Sequence, residues 1–293
     1  LEEGHFREAI EEYREALAQG ASGQSGAMPH DVSTQLLSRW HERLAFLLLL
    51  RGATTEALSV AEQALVLDGS NAGAWHEIAK AKFELCHEAE AVKSYLRAVE
   101  MRPDLSMHEH PRVLSVRRRA PAEWAGVRQA PYLSLARPQT LQIAPPPTIP
   151  SGLSDRFELG QTRIHELFSL RLTNAEILPV EFAVITDDHT LLLDGIVNRV
   201  RQYERKSRYV RHGSDDMRML LDLAAGTESY DGECILLGGA GDQYAWFFEA
   251  LARLWAVEQQ PRLASLPLAV HAEIGEARIA DLASFGYPKE RLV

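Results

Sequence analysis

Several features that mark specialised classes of protein are scarce in this 293-residue chain. It has only two cysteines, Cys86 and Cys234, in different predicted units, which argues against a disulfide framework or a thiolate metal site. Lys and Arg number 31 against 41 Asp and Glu, so the basic patch on which nucleic-acid binding depends is lacking. No run approaches the roughly 20 apolar residues that cross a bilayer. We expect a cytoplasmic protein with no nucleic-acid partner and no membrane span.

The overall balance is that of an ordinary globular protein, with 46% hydrophobic and 25% charged residues. The length exceeds that of a typical single domain, so two domains are expected. The chain opens on Leu1 rather than on a methionine, within a helical pattern. We therefore expect it to be a segment of a longer protein.

Two windows in the first hundred residues repeat with a period of 34 residues, which is the period of the tetratricopeptide repeat. The paired positions are Leu44 with Ile78, Ala45 with Ala79, Leu48 with Lys82, Gly52 with Cys86, Ala57 with Ala91, Ala61 with Tyr95, Ala64 with Ala98, and Gly69 with Pro103. They resemble the family's pattern, with Trp75 near the start of the first helix, small residues where helices touch, and Pro103 closing the unit. The resemblance implies a stack of helix pairs over residues 1–105.

A third, truncated copy precedes these two repeats. Gly4, Ala9, Tyr13 and Ala16 match the second half of a repeat only when fourteen extra residues are allowed before the next one. The insertion coincides with the stretch from Ala21 to Gly26, whose glycine and serine content predicts a flexible loop.

Stacks of this family hold peptides or partner domains on a concave face, so a protein partner is expected here. The candidate contacts are His41, His76, Lys80 and Lys82. The alternative is that these are solvated positions of amphipathic helices. The pairs His41-Glu42 and His76-Glu77 lack the second histidine four residues later that a zinc-protease helix requires, so metal binding is rejected there.

The pattern changes after residue 105. Residues 106–150 contain eight prolines, which predicts a proline-rich linker or wrapping arm. From about residue 163 the hydrophobic period approaches two, and Asp187-Asp188-His189 predicts a hairpin turn. A short helix is predicted at 214–225, followed by a strand at 233–237, a helix at 242–258, a strand at 266–270 and a helix at 276–285. This alternation predicts an α/β lobe over 151–293, with a β-rich beginning and a parallel sheet.

The segment from Gly238 to Leu254 resembles the signature of glycosyltransferase family 61, a glycine-bearing loop followed by Asn-Tyr-Tyr-His-Trp and a helix. The resemblance covers roughly residues 170–293. It implies Rossmann-like halves around a cleft, a nucleotide-sugar donor, a glycan or glycoconjugate acceptor, and a bacterial-type role in polysaccharide biosynthesis. It implies no covalent cofactor and leaves metal use open. The donor half is expected beyond Val293, and this segment is expected to be inactive alone.

The resemblance also provides candidate site residues. Glu249 is the candidate general base or acceptor-orienting carboxylate, with pairing to Arg253 as the alternative. The candidate substrate-binding residues are Gly239, Gly241, Asp242, Tyr244, Trp246 and Arg253. For the glycines the alternative is a tight strand-to-helix turn, and for the aromatic residues it is a place in the core.

The sequence departs from the family where proton transfer is expected. Ala245 occupies the position of the family's histidine, and a methyl group neither donates nor accepts a proton. Ala252 stands in place of the proline before Arg253. The sequence therefore predicts a family 61 type glycosyltransferase whose repeats dock a partner. The alternative is a tetratricopeptide interaction scaffold with a non-catalytic α/β lobe.

Overall fold

The computed structural model describes residues 3–22, 34–137, 139–142, 161–164, 166–178, 183–192, 207–226, 228–238, 246, 251–271 and 274–293. The chain forms two compact units. Unit 1 comprises Leu1–Arg117 and Gln202–Thr227, and unit 2 comprises Arg118–Arg201 and Glu228–Val293. Helices and β-strands are both abundant, so the fold is α/β with a helical part.

Five helices form the helical part of unit 1: α1 Glu3–Ser22, α2 Thr34–Leu50, α3 Thr54–Leu67, α4 Ala72–Glu84 and α5 Glu88–Met101. Successive helices pack on one another, and α2 also contacts α4. The predicted period reappears in the helix boundaries, since the starts of α3 and α5 (88 − 54) and the ends of α2 and α4 (84 − 50) are each 34 residues apart.

Small side chains lie where these helices meet. Ala45, Ala57, Ala61 and Ala64 are buried, and so are their counterparts one period later. Close approach of two helices requires small residues at the contact, because interiors are packed without voids. The sequence pairing therefore identified contact positions correctly.

The loop predicted from Ala21 is wrong at its first two residues. Helix α1 continues through Ser22, and residues 23–33 lie outside the described part of the chain. Glycine and serine weaken a helix but do not end it when neighbouring turns are strong helix formers, so composition alone placed the boundary too early.

A three-stranded antiparallel arrangement completes unit 1. Strand β10, Arg218–Ala224, pairs with β1, Pro111–Arg119, and with β9, Val210–Gly213. The helix predicted at 214–225 is therefore wrong. Every residue from Arg218 to Leu223 is buried, and a short apolar run buried on both faces has no period that separates strand from helix.

The segment predicted as a linker contains regular structure in its described part. Besides β1 it includes α6, Pro121–Arg128, β2, Tyr132–Ala136, and β3, Gln139–Gln142. Two of its prolines lie at element starts: Pro111 begins β1, and Pro121 occupies the first turn of α6. These positions tolerate proline because the missing N–H has no partner to lose there.

The β9–β10 hairpin packs on the last helix pair, although it was predicted to belong to the second lobe. Leu220 and Val113 join a core with Phe83 and Tyr95. The buried guanidinium of Arg218 lies 4.9 Å from the centre of the Phe83 ring, and its Nη1 donates to the Phe83 carbonyl at 2.7 Å. The hairpin thus covers apolar surface at the end of the helix array.

A buried carboxylate links the two parts of unit 1. Asp222 on β10 is fully buried, and it accepts from Arg211 Nε at 3.0 Å and from Ser106 Oγ at 3.0 Å. The hydroxyl of Tyr95 lies 3.2 Å from Asp222 Oδ2 and 2.9 Å from the Leu105 carbonyl. Burial and the neighbouring carboxylate raise the pKa of Tyr95 above its ordinary value, so the phenol keeps its proton.

Unit 2 begins with antiparallel strands. The strands that follow β3 are β4 Gln161–Ile164, β5 Leu167–Leu170, β6 Glu176–Ile177, β7 Val184–Ile185 and β8 Thr190–Leu192. Strand β2 pairs with β5, β3 pairs with β4, and β7 pairs with both β6 and β8. The hairpin predicted at Asp187-Asp188-His189 is confirmed. Trp124 of α6 packs in this region, and its indole N–H lies 3.2 Å from Asp188 Oδ1.

The rest of unit 2 alternates strands and helices as predicted. Strand β11, Ile235–Gly238, pairs in parallel with β12, Leu268–Val270. Helix α7, Leu251–Glu258, lies between them in sequence, and α8, Glu276–Ser284, follows β12. Their side chains form one apolar core around Leu237, Trp246 and Leu268. No helix in the described ranges is both long and apolar enough to cross a bilayer.

Replacing Asp222 with alanine is expected to lower the free energy of unfolding of unit 1 by about 3–5 kcal/mol, because Arg211 is left charged and buried without its partner. Urea titration followed by circular dichroism measures the change. Asp104→Ala is the matched control, since the Asp104 side chain is 80% exposed and its loss should cost less than about 0.5 kcal/mol. Equal midpoints for the two variants would contradict the role given to Asp222.

Candidate functional site

Helices α2 and α4 place equivalent residues of the two repeats side by side. Glu42 and His76 differ by 34 positions, and so do Phe46 and Lys80. The ammonium of Lys80 lies 5.7 Å from the centre of the Phe46 ring, in the range of a cation–π contact. We call the face formed by Glu42, Phe46, Gly73, Glu77 and Lys80 the α2–α4 surface.

Gly73 allows the two helices to bring a carboxylate against a backbone. A methyl group built on Gly73 would lie 2.3 Å from Cδ of Glu42, which is closer than any real contact. A side chain at this position would therefore require the carboxylate end of Glu42 to move. Gly73 itself is buried within α4.

Glu77 lies one helical turn after Gly73, so the two share a face of α4. The Glu77 residue is 6% exposed, and its Oε1 lies 3.0 Å from Lys80 Nζ and 3.6 Å from His76 Nδ1. Burial opposes ionisation, but the His76 contact and the Lys80 charge outweigh it and hold the pKa of Glu77 below its ordinary value. Glu77 is thus a carboxylate at neutral pH.

The second oxygen of this carboxylate has no donor. Oε2 of Glu77 is buried and has no hydrogen-bond partner among the described residues. A buried charged acceptor without a donor costs free energy, since it has lost its water without replacement. Burial also lowers the pKa of His76, so its ring is neutral near pH 7 and supplies no charge to the pair.

The other predicted contacts of the helical repeats already have partners. Nδ1 of His41 donates to the Leu37 carbonyl at 2.8 Å, within its own helix. Lys82 pairs with Glu90 at 2.7 Å. This pair lines an open pocket of about 340 Å³ between α4 and α5, together with Trp75, Lys93, Ser94 and Arg97. Of the four predicted contacts, only His76 and Lys80 lie at the α2–α4 surface.

Most of the predicted transferase site lies outside the described residues. This applies to the candidate base, Glu249, and to four of the six positions assigned to substrate: Gly239, Gly241, Asp242 and Tyr244. The position of Ala245, where the resembled family has histidine, is likewise outside them. The described part of the chain contains no group of three His, Cys, Asp or Glu side chains arranged to hold a metal ion.

The two described members of that set contribute to packing. Trp246 is 1% exposed, joins the core of β11, β12, α7 and α8, and donates from its indole N–H to Asp281 at 3.1 Å. Arg253 donates from Nη1 to the Leu237 carbonyl at 3.0 Å, which ties α7 to β11. The structure therefore agrees with the alternative that Trp246 lies in the core. A buried ring offers no face to a sugar.

A scan of protein-family models finds no match to this chain, and a search of curated proteins finds none either. The function is therefore inferred from the chemistry of the described residues.

Of the five residues that define the α2–α4 surface, the sequence identified only Lys80 as a contact, together with the adjoining His76. His76 and Lys80 were noted as polar positions, whereas Glu42 and Glu77 were considered only as neighbours of histidines. Phe46 and Gly73 were missed. A signal was present, because the 34-residue spacing that joined the alanines also joins Phe46 to Lys80.

The packing role of Trp246 predicts a large loss of stability in Trp246→Ala, about 3–5 kcal/mol in urea unfolding, because a cavity is left in the core. Trp255 of α7 is 56% exposed and is the natural control; Trp255→Ala should change stability by less than about 0.5 kcal/mol. A Trp246→Ala protein with unchanged stability would show that the indole is not a core side chain.

Proposed function

We propose that the helical part of unit 1 is a tetratricopeptide-type array that docks an extended segment of a partner protein on the α2–α4 surface. The observation that carries this proposal is the contact of α2 with α4, which places Lys80 over Phe46, its equivalent one repeat earlier, and Glu42 beside Gly73. Chemically distinct groups of two repeats are thereby brought to one face. A segment with a regular spacing of side chains can then contact both repeats.

The chemistry of the surface suits an extended chain. It combines the partly exposed ring of Phe46, the carboxylate of Glu42 against the backbone of Gly73, and the ion pair of Lys80 with Glu77 at 3.0 Å. Aromatic area supplies affinity, and the polar groups set orientation. Gly73, which is buried within α4, admits the carboxylate of Glu42 because it has no side chain.

Selection of peptides from a displayed library against the 293-residue chain is expected to enrich a sequence that requires the α2–α4 surface. Gly73→Ala should weaken its binding about tenfold, because the new methyl group displaces Glu42. The helix should tolerate this change, since alanine is the stronger helix former.

Gly69→Ala is the matched control, because a methyl group there meets only the Leu65 carbonyl oxygen, at 3.8 Å. Fluorescence anisotropy with the selected peptide compares the variants. Failure to enrich any peptide, or equal binding by the Gly73 and Gly69 variants, would reject the proposal.

A glycosyltransferase family 61 type activity in unit 2 is the second candidate. Support comes from the parallel pairing of β11 with β12 and from α7 between them, the order that the resemblance implies. In open α/β sheets, ligands bind beyond the carboxyl ends of the strands, and residues 239–242 follow β11 directly. In this proposal Glu249 acts on a glycan hydroxyl, and a nucleotide sugar is the donor.

This second candidate predicts that the chain binds a glycan on an array, and that Glu249→Gln and Tyr244→Ala reduce the signal about tenfold or more. Trp255→Ala, an exposed aromatic on α7, should leave it unchanged. An array without signal above background, or equal signals for all three variants, would favour the interaction scaffold instead.

A further inference from the structure

The helical part of unit 1 has an open pocket between α4 and α5. On α4, Trp75 and Lys82 lie seven residues apart, so they occupy one face of the helix two turns from each other. The lining residues of α5 also follow helical spacing, so one face of each helix forms a wall. We call this space of about 340 Å³ the α4–α5 pocket, and its residues are Trp75, Lys82, Glu90, Lys93, Ser94 and Arg97.

The repeat pattern does not account for the polar wall of this pocket. One period earlier, the positions of Lys82 and Ser94 hold Leu48 and Val60. Leu48 is fully buried, and both side chains pack in an apolar core with residues of α1. The first repeat therefore has apolar packing where the second has an ammonium and a hydroxyl. No lysine or arginine occurs at the six equivalent positions, which are His41, Leu48, Glu56, Ser59, Val60 and Gln63.

Ser94 contributes a buried polar group to the wall of the pocket. The residue is only 4% exposed, yet it lines the open space. In the part of the chain that the structure describes, its hydroxyl takes part in no hydrogen bond. A largely buried hydroxyl without a partner costs free energy, so a ligand atom that accepts its hydrogen bond is favoured here.

The charges around the pocket favour an anionic ligand. Lys82 pairs with Glu90 at 2.7 Å and Arg97 pairs with Glu100 at 2.7 Å, so each of these cations is matched by one carboxylate. Lys93 forms no ion pair with any described residue and leaves one positive charge in excess. The paired cations still have N–H donors to offer, since an ammonium has three and a guanidinium has five. This local excess stands in a chain whose net charge is −10.

We propose that the α4–α5 pocket binds a phosphate monoester, with the phosphate at Lys93, Ser94 and Arg97 and the organic group against the indole of Trp75. A phosphate offers three terminal oxygens to these donors, whereas a carboxylate offers two in one plane. The volume of about 340 Å³ lies within the range of small-molecule sites, which leaves room for the group that carries the phosphate. The pocket shares no residue with the α2–α4 surface, so its test is independent of the docking proposal.

The probe is phenyl phosphate, and the matched compounds are phenylacetate and inorganic phosphate. NMR titration of the isotope-labelled 293-residue chain should shift the amides of residues 90–97 and the indole N–H of Trp75. Each matched compound should bind about tenfold more weakly, because phenylacetate has no phosphate and inorganic phosphate has no ring. Equal binding of phenyl phosphate and either matched compound, or no shifts at these positions, would overturn the assignment.

Variants of two pocket residues complete the test. Lys93→Gln should weaken the binding of phenyl phosphate about tenfold, and Ser94→Ala about threefold, because a charge or a hydroxyl is lost. Ser94→Val, which introduces the side chain of the first repeat, should remove binding by filling the pocket. Lys289→Gln is the matched control, since this lysine of unit 2 is 69% exposed, and it should bind as the unaltered chain does. Equal affinities of the Lys93 and Lys289 variants would contradict the proposal.

A phosphopeptide distinguishes two sources of the phosphate monoester. The peptide acetyl-Gly-Gly-phosphoserine-Gly-Gly-amide presents it on a protein segment, and phenyl phosphate presents it on a small molecule. Tighter binding of the peptide would support a phosphorylated partner segment, and tighter binding of phenyl phosphate would support a small phosphorylated molecule. Failure of both to bind would reject the site.

Discussion

The buried carboxylate of Asp222 is the interaction on which unit 1 depends. It accepts hydrogen bonds from Arg211 on β9, which lies 11 residues earlier in the chain, and from Ser106 after α5 and Tyr95 on α5, which lie 116 and 127 residues earlier. Because a buried charge is stable only when fully paired, the network permits few alternative positions for the hairpin. The end of the helix array is thereby covered by strands.

The strands at the end of the helix array also bury apolar side chains of the last helix pair. An array of helix pairs buries its apolar faces only by stacking, and its last pair needs a substitute for the next repeat. Phe83 and Tyr95 of the last pair pack with Leu220 and Val113 of the strands. On the α2–α4 surface, by contrast, the ring of Phe46 is partly exposed, and one oxygen of the Glu77 carboxylate has no hydrogen-bond donor among the described residues.

The α/β part of unit 2 illustrates how a resemblance can predict elements and still leave side-chain roles open. The strand, helix, strand and helix after residue 233 occur in the predicted order, although residues 242–245 and 247–250 of the helix predicted at 242–258 lie outside the described part of the chain. Trp246 and Arg253 were singled out for a sugar and a diphosphate, yet one lies in the core and the other binds a strand carbonyl. Aromatic and cationic side chains on a helix beside a sheet serve packing as readily as ligands, and only the direction of the side chain distinguishes the two uses.

The sequence by itself determined the helix pairs, their 34-residue spacing, the small residues at their contacts, the hairpin at Asp187 to His189, and the strand and helix order at the end of the chain. These are local patterns, and local patterns follow from periodicity and turn chemistry. Tertiary structure alone decided that residues 218–224 form a strand, that this strand packs on α4 and α5, and that Glu42 meets Gly73. Such contacts join residues that are far apart in sequence, and no local period records which distant group will supply the missing charge or surface.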